Sequence, residues 1–443
     1  MTTPVDQRVC VIGAGSSGLA AARHFVQRGF ETQLLDREPD LGGNWNITNA
    51  HARVYDSTRM ISSKRFTQYP DHPMPRDFPD YPHHAQVLDY LRSYAQRFDL
   101  LRRTLYQTSV TRIEPVDAGQ AWDITYRRGP EPHASSHTQR YGWVVIANGH
   151  NWSPRWPDIP GAFAGQLLHS ASYKSPDVLR GRRVLILGAG NTGCDLAVEA
   201  AHHARFAAIS MRRGYHFIPK YFMGRPADRL GDSLAEFGLP LALRRALITL
   251  GLRLFVGSPH RFGLPRPDHR LFETHPIINS LLPYYVRHQA IACRPDVRAF
   301  EGELVRFADG RAEPYDLVIC ATGYRVDIPF IDPSQLNWRD DAPHLHLNVF
   351  HPTHDRLFVG GLIQPDSGQF GLVHWQGLVM ARFAELVRAG DPRAERLRRA
   401  KAPLAHDDAQ PPRRYAASPR HRLEVEHISY LKSLQKLARQ LGA

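Results

Sequence analysis

Two stretches of this chain repeat one pattern: a short apolar, β-branched run, a glycine-rich turn, an alanine-rich stretch without a breaker, and a second apolar run. The first is Arg8-Val-Cys-Val-Ile12, the turn 13–18, residues 19–28 with Gly29 as a stop, and Glu31-Thr-Gln-Leu-Leu-Asp36. The second is Arg183-Val-Leu-Ile-Leu187, the turn 188–193, residues 194–205 and Ala207-Ala-Ile-Ser-Met211. Each predicts strand, turn, helix and strand. Between and after them the pattern predicts a helix over 84–99, with Val87, Leu88, Leu91 and Phe98 on its apolar side. It also predicts a small antiparallel layer over 108–115, 121–127 and 140–147. Strands over 303–307, 316–323 and 357–363, a helix over 374–389 and an amphipathic helix over 421–441 complete the pattern. The repeated unit makes the fold class α/β, with two Rossmann-like dinucleotide-binding domains.

The turns carry the chemistry. Gly13-Ala14-Gly15-Ser16-Ser17-Gly18 and Gly188-Ala189-Gly190-Asn191-Thr192-Gly193 each follow a strand and open a helix, the context that gives the spacing meaning. The first glycine permits the tight turn, the second lets backbone approach a pyrophosphate, and the third lets helix pack on strand. Amides and the positive end of the helix then hold the phosphates. After the second strand the repeats diverge. Asp36 suits ribose hydroxyls and repels a 2′-phosphate, which favours FAD or NAD, whereas Arg212-Arg213 offers a guanidinium fork for a 2′-phosphate and favours NADPH. Small-residue turns at Leu41-Gly-Gly-Asn-Trp45 and Ala147-Asn-Gly149 are further places for backbone to lie against a cofactor.

Composition changes this picture little. The chain has 443 residues and a formal charge of +13, mostly arginine scattered along its length. That distribution is a solvated surface, and nucleic acid is not an expected partner. Four well-separated cysteines, Cys10, Cys194, Cys293 and Cys320, make neither a disulfide framework nor a zinc site and suggest a reducing cytoplasm. No signal peptide or transmembrane segment is expected. The run 239–256 is broken by Arg244, Arg245 and Arg253, so it reads as an amphipathic helix with weak interfacial membrane contact. The histidines lack metal-ligand spacing. The amphipathic ends suggest a homodimer.

Between the turns, Phe163, Gly165, His169 and Tyr173 fill the marker Phe-x-Gly-x-x-x-His-x-x-x-Tyr/Phe, and the second turn continues Asn191-Thr-Gly-Cys-Asp195. With Asp36, Gly42-Gly43-x-Trp45, Ala321-Thr322-Gly323, Gln364-Pro365 and Gln376, the chain resembles a flavin-containing monooxygenase. The resemblance implies FAD and NADPH as cofactors and an NADP domain inserted in the FAD domain. The implied boundaries are 1–160 and 313–443 for FAD, a connecting marker segment 161–180, and 181–312 for NADP with a helical insert near 224–290. The flavin set becomes Gly13, Gly15, Ser16, Ser17, Gly18, Asp36, Arg37, Gly43, Asn44, Trp45, Lys64, Val110, Ala147, Thr322, Gly323 and Gln364. The NADP set becomes Tyr173, Gly188, Gly190, Asn191, Thr192, Gly193, Arg212 and Arg213. On this reading the marker joins the two halves, with His169 as an interdomain hydrogen-bonding residue.

The implied reaction passes one oxygen atom of O2 through a C4a-hydroperoxyflavin to a small-molecule amine or sulfide. Related Baeyer–Villiger enzymes usually have Trp where this chain has Tyr173. One departure stands out: the family commonly has Asn at the position of Ile61. Its role then falls to NADP+, to Ser62 or Ser63, or is lost, and an enzyme that lost it would leak peroxide. The alternatives are ketone oxygenation, an uncoupled NADPH oxidase, or a non-catalytic redox-sensing flavoprotein. A disulfide reductase would need a close cysteine pair, which the sequence lacks.

Overall fold

A computed structural model of the chain describes residues 3–130, 133–229, 241–271, 273–274, 277–405 and 423–443. It divides into two compact units: residues 1–52, 62–150 and 326–443, and residues 53–61 and 151–325. The second interrupts the chain of the first. Leu317–Cys320 is an interior strand of the second unit's sheet, so residues 313–325 belong there and not with the stretch 313–443. The segment 53–61 belongs to the second unit as well, although it was expected within 1–160.

The first unit is built on a parallel sheet. β1 (Arg8–Ile12) leads through the glycine turn into α1 (Ser16–Gln27), and β2 (Glu31–Leu35) returns in register beside β1. β3 (Trp143–Ile146) pairs with β1 on its other side, and Leu357–Val359 and Thr104–Leu105 form the edges. The expected strand 140–147 is two strands. Ser135–Tyr141 closes the antiparallel layer and β3 enters the parallel sheet. Gly142 makes the break possible, because a Cβ there would overlap the Val5 carbonyl. Trp122 and Ile124 of the layer pack on Cys10, Ile12, Val144 and Ile146 of the sheet. Period-2 alternation supplies that apolar face.

The second unit repeats the plan. β4 (Arg183–Leu187), α2 (Asn191–His203) and β5 (Phe206–Ser210) follow one another, with β6 (Leu317–Cys320) on the far side of β4. Gln166–His169 and Ala292–Arg294 form the edges, and every pairing is parallel. Val184 and Ile186 join the cluster that contains α2, while Leu185 and Leu187 face Val297, Phe300 and Phe307 of a four-stranded layer. A sheet covered on both faces reads as a continuous apolar run, as it does here. Within the insert lie the helix Leu241–Phe255, with Leu243, Leu247, Leu250 and Leu254 exposed, and the helix Leu281–Arg287. No helix among the described residues is long and apolar enough to cross a membrane.

The marker segment is not a linker. Gln166–His169 is an edge strand of the second sheet, and a Cβ on Gly165 would lie 2.8 Å from the Asp316 carbonyl oxygen. The buried His169 ring accepts the Ala171 N–H at Nδ1 (3.1 Å), and its faces meet Trp156 and Tyr324. All these partners lie inside the second unit.

Candidate nucleotide-binding sites

In the first unit the chain leaves β1 at Gly13 with φ +107°, where a Cβ would overlap the Ala147 carbonyl. Only glycine fits there. The third glycine is required for a different reason: a Cβ on Gly18 would overlap the Gly13 carbonyl. Gly15 caps α1 without any side-chain cap bond. The first-turn amides of Ser16, Ser17 and Gly18 therefore have no intrahelical acceptor and stand at the positive end of the helix. The Gly42-Gly43 loop lies on this turn. Gly42 donates its N–H to the Ala14 carbonyl (3.1 Å), and a Cβ on Gly43 would come within 3.2 Å of Gly15 Cα. Gly43, Asn44 and Trp45 form a short helical turn there, with the Trp45 ring edge-on to Phe370.

Asp36 stands at the end of β2, 7% exposed. Its Oδ2 accepts the Ala14 N–H at 2.5 Å and its Oδ1 the Glu38 N–H at 2.9 Å. Burial pushes its carboxyl up to about 6 against the pull of the two amides. The nearby Glu38 was not anticipated from sequence. Burial raises it, but the Ala50 N–H (2.9 Å), the His51 N–H (3.1 Å) and His51 Nδ1 (2.7 Å) prevail and hold it below the usual carboxylate range. Of three further residues, Ser17 was in the expected flavin set, Gln376 was noted only for the resemblance, and His150 was not anticipated. His150, just beyond the Ala147 turn, has a buried Nδ1 without a partner. Gln376, fully buried, ties the Gly361 N–H (2.9 Å) to the Tyr430 hydroxyl (2.8 Å). Ser17 lies where a Cβ on Gly361 would fall.

Other members of the expected flavin set have different surroundings. Lys64 Nζ donates to the carbonyls of Pro75 (3.2 Å), Arg76 (2.9 Å) and Phe78, so it is a tether for the 75–78 loop. Thr322 and Gly323 follow β6 and adjoin the second glycine turn. A Cβ on Gly188 would lie 2.7 Å from the Ala321 carbonyl oxygen, and Thr322 donates its hydroxyl to the Arg155 carbonyl (2.5 Å). Sequence order hid this, because β6 is 130 residues beyond β4 in the chain and next to it in the sheet. Val110 sits in the antiparallel layer against its core. Arg37 Nε lies 3.7 Å from Glu38, and the Gln364 N–H bonds the Leu423 carbonyl (2.7 Å).

The second turn repeats the first almost atom for atom. Gly188 has φ +103°, Gly190 caps α2 with no side-chain cap bond, and a Cβ on Gly193 would overlap the Gly188 carbonyl. Asn191 uses its Oδ1 on the Ile278 N–H (2.9 Å). Asp195 on α2 is half-buried; desolvation pushes its carboxyl up to about 6, and it accepts from Asn279 Nδ2 (2.8 Å) and the Tyr55 hydroxyl (3.3 Å). Of the two arginines after β5, Arg212 is exposed and without a partner among the described residues. Arg213 is bonded to Asp268. Tyr173, expected against the nucleotide, is 1% exposed, edge-on to Tyr55, and donates its hydroxyl to Glu199. It packs on α2.

The 61–63 segment straddles the passage from second to first unit. Ile61 is half-buried, the Ser62 and Thr67 hydroxyls bond each other at 2.8 Å, and Ser63 is buried at the start of the short helix Lys64–Thr67.

Residues 6–442 match a family model described as flavin-binding monooxygenase-like. The chain belongs to this family. Flavin-containing monooxygenase 5 of Homo sapiens is 32% identical over 97% of this chain and 82% of its own. Flavin-containing monooxygenase 1 of Sus scrofa is 32% identical over 87% and 74%. Among solved structures, S-allyl-L-cysteine S-oxygenase from Allium sativum superposes with a TM-score of 0.66 at 19% identity, covering 98% of this chain and 88% of that one. The open structure of cyclohexanone monooxygenase gives 0.67 at 17% identity, covering 98% and 97%. At such identities these structures share the fold. The chain is thus an FAD- and NADPH-dependent flavin monooxygenase with two Rossmann-like units, the second inserted in the first. The two turns fit such cofactors, since each offers free helix-start amides in a cradle that any Cβ would fill.

Proposed function

We propose that the first cradle holds FAD, the second holds NADPH, and the enzyme delivers one oxygen atom of O2 to an amine nitrogen or a sulfide sulfur. The observation that carries the assignment is opposite charge just beyond the second strand of each cradle, at Asp36 in the first and, one residue further on after Met211, at Arg212-Arg213 in the second. A carboxylate accepts from ribose hydroxyls, and a guanidinium fork donates to a 2′-phosphate. Bound FAD supplies hydride acceptance and oxygen activation. The chain's part is to hold pyrophosphates on the amides of residues 16–18 and 191–193, to set ribose against Asp36, and to bring Arg212 to the 2′-phosphate. Tyr173, in place of the tryptophan usual in ketone oxygenases, supports the heteroatom reading over ketones.

The fold is common to a sulfur oxygenase and a ketone oxygenase, so products must decide. Incubation with NADPH, O2 and a thioether, a tertiary amine or a cyclic ketone should give sulfoxide or N-oxide and no lactone. Lactone as the main product would overturn the heteroatom reading. A second reading, an NADPH oxidase that releases peroxide, is favoured by Ile61 and by the mutual bond of the Ser62 and Thr67 hydroxyls. It predicts peroxide equal to the NADPH consumed, whatever substrate is present.

A further inference from the structure

Arg213 already carries an anion. Its Nε and Nη2 donate to the same Asp268 oxygen, Oδ1, at 3.1 and 2.7 Å. That carboxylate is set on a built platform. Asp268 Oδ1 lies 2.8 Å from His269 Nδ1, and His269 Nε2 lies 2.7 Å from the hydroxyl of the buried Thr274. His269 Nδ1 thus closes a triangle with the pair, since Arg213 Nη2, which only donates, lies 3.1 Å from it and Asp268 Oδ1, which only accepts, 2.8 Å. His216 Nε2 donates to the His269 carbonyl at 2.8 Å. The segment is pressed onto the arginine turn itself, because Gly214 bridges Pro267 and a Cβ on Gly214 would overlap the Pro265 carbonyl. Asp268 is therefore delivered to Arg213 by its own backbone, while Arg212 next door has no partner among the described residues.

We propose that Asp268 is an internal competitor for the nucleotide's 2′-phosphate, a residue that tunes NADPH affinity and eases release of the nucleotide. The proposal rests on the assignment of Arg212 and Arg213 to that phosphate. Two anions cannot share one guanidinium edge without repulsion, so the incoming phosphate displaces the carboxylate, and the departing phosphate leaves Arg213 a replacement partner. Asp268 can yield because its side chain is 58% exposed, and water solvates it once it is released. Exposed pairs are weak, so Asp268 is expected to lower affinity by about 2- to 5-fold. Such an effect tunes the site without closing it. Nucleotides that lack the 2′-phosphate never meet Asp268 and are indifferent to it.

Calorimetric titration of the purified flavoprotein with 2′,5′-ADP and with 5′-AMP tests this without turnover. Asp268→Asn should bind 2′,5′-ADP about 2- to 5-fold more tightly and 5′-AMP unchanged, and the gain should vanish when Arg213→Ala is added. Unchanged or weaker 2′,5′-ADP binding in Asp268→Asn, with Arg213→Ala still weakening it, would overturn the proposal and leave the phosphate assignment standing. If neither Arg212→Ala nor Arg213→Ala changes the preference for 2′,5′-ADP over 5′-AMP, both fall. Should Asp268→Asn fail to fold, Asp268→Ser gives the same reading, with 5′-AMP affinity as the control for an intact cradle.

Discussion

Asp36→Asn exposes a proton linkage built into the first cradle. Burial raises the Asp36 carboxyl from an ordinary 3.8 to about 6, a gap of roughly 2 pH units that corresponds to about 3 kcal/mol. With no nucleotide bound, the folded chain keeps this proton where the unfolded chain has lost it. The raised pKa thus adds stability below about pH 4, and the gain is lost as pH rises to about 6. Ribose hydroxyls that donate to the carboxylate favour its charged form and lower the pKa again. Flavin binding then expels a proton between these limits, and affinity rises with pH up to about 6 and levels off. The slope approaches about tenfold per pH unit, or about 100-fold over the whole window. Asparagine keeps the size but accepts from only one of the two amides, Ala14 or Glu38, and does not ionise. Flavin dissociation constants measured by fluorescence from pH 5 to 7.5 should climb on acidification in the wild type and stay flat in Asp36→Asn, which should also bind more weakly at pH 7. Asp195, pushed to a similar value in the second unit, is untouched by this substitution and serves as the internal control. An equal acid limb in both proteins would refute the role of Asp36.

Other substitutions separate neighbouring assignments. Arg212→Ala removes the guanidinium that has no partner among the described residues, so NADPH should bind roughly 10- to 100-fold more weakly, as the loss of a charge-assisted hydrogen bond requires. NADH should be unaffected, and parallel KM shifts for the two would speak against the fork. Ile61→Asn tests the expectation that position 61 lies beside flavin and substrate: there an added amide donor, worth about 1 kcal/mol, should cut the peroxide released per NADPH roughly fivefold. An unchanged ratio would show that position 61 does not face the reacting oxygen.

Local spacing made the two cradles legible. Gly18 and Gly193 sit where a side chain would overlap the carbonyl of Gly13 or Gly188, a demand written within six residues of chain, while Gly13 and Gly188 meet the distant carbonyls of Ala147 and Ala321. The opposed charges of Asp36 and Arg212 were legible for the same reason, since Asp36 follows its strand directly and Arg212 comes one residue later, after Met211. What could not be read was pairing at long range. Thr322 and Gly323 adjoin Gly188 only because β6 lies beside β4, and Lys64 is occupied by a loop that its own neighbourhood does not specify. The antiparallel layer was misread at one position, since Gly142 splits an apparently continuous run for a steric reason that depends on Val5. Tyr173 and His169 carry the family marker, yet they serve the packing of the second unit, and marker spacing alone does not tell a packing role from a contact. Asp268 gave no signal at all, being 55 residues from the arginine it holds.

The central claim is that two like cradles hold unlike nucleotides, FAD in the first and NADPH in the second. Anaerobic titration with NADPH, followed at the flavin absorbance band, tests it most directly in the wild type and in Gly193→Ala, whose new Cβ overlaps the Gly188 carbonyl. The wild type should be yellow and bleach with one equivalent of NADPH. Gly193→Ala should remain yellow, keep its flavin, and bleach with dithionite but not with NADPH at matched concentration. Loss of flavin from Gly193→Ala with NADPH binding retained, or bleaching by NADPH as in the wild type, would contradict it.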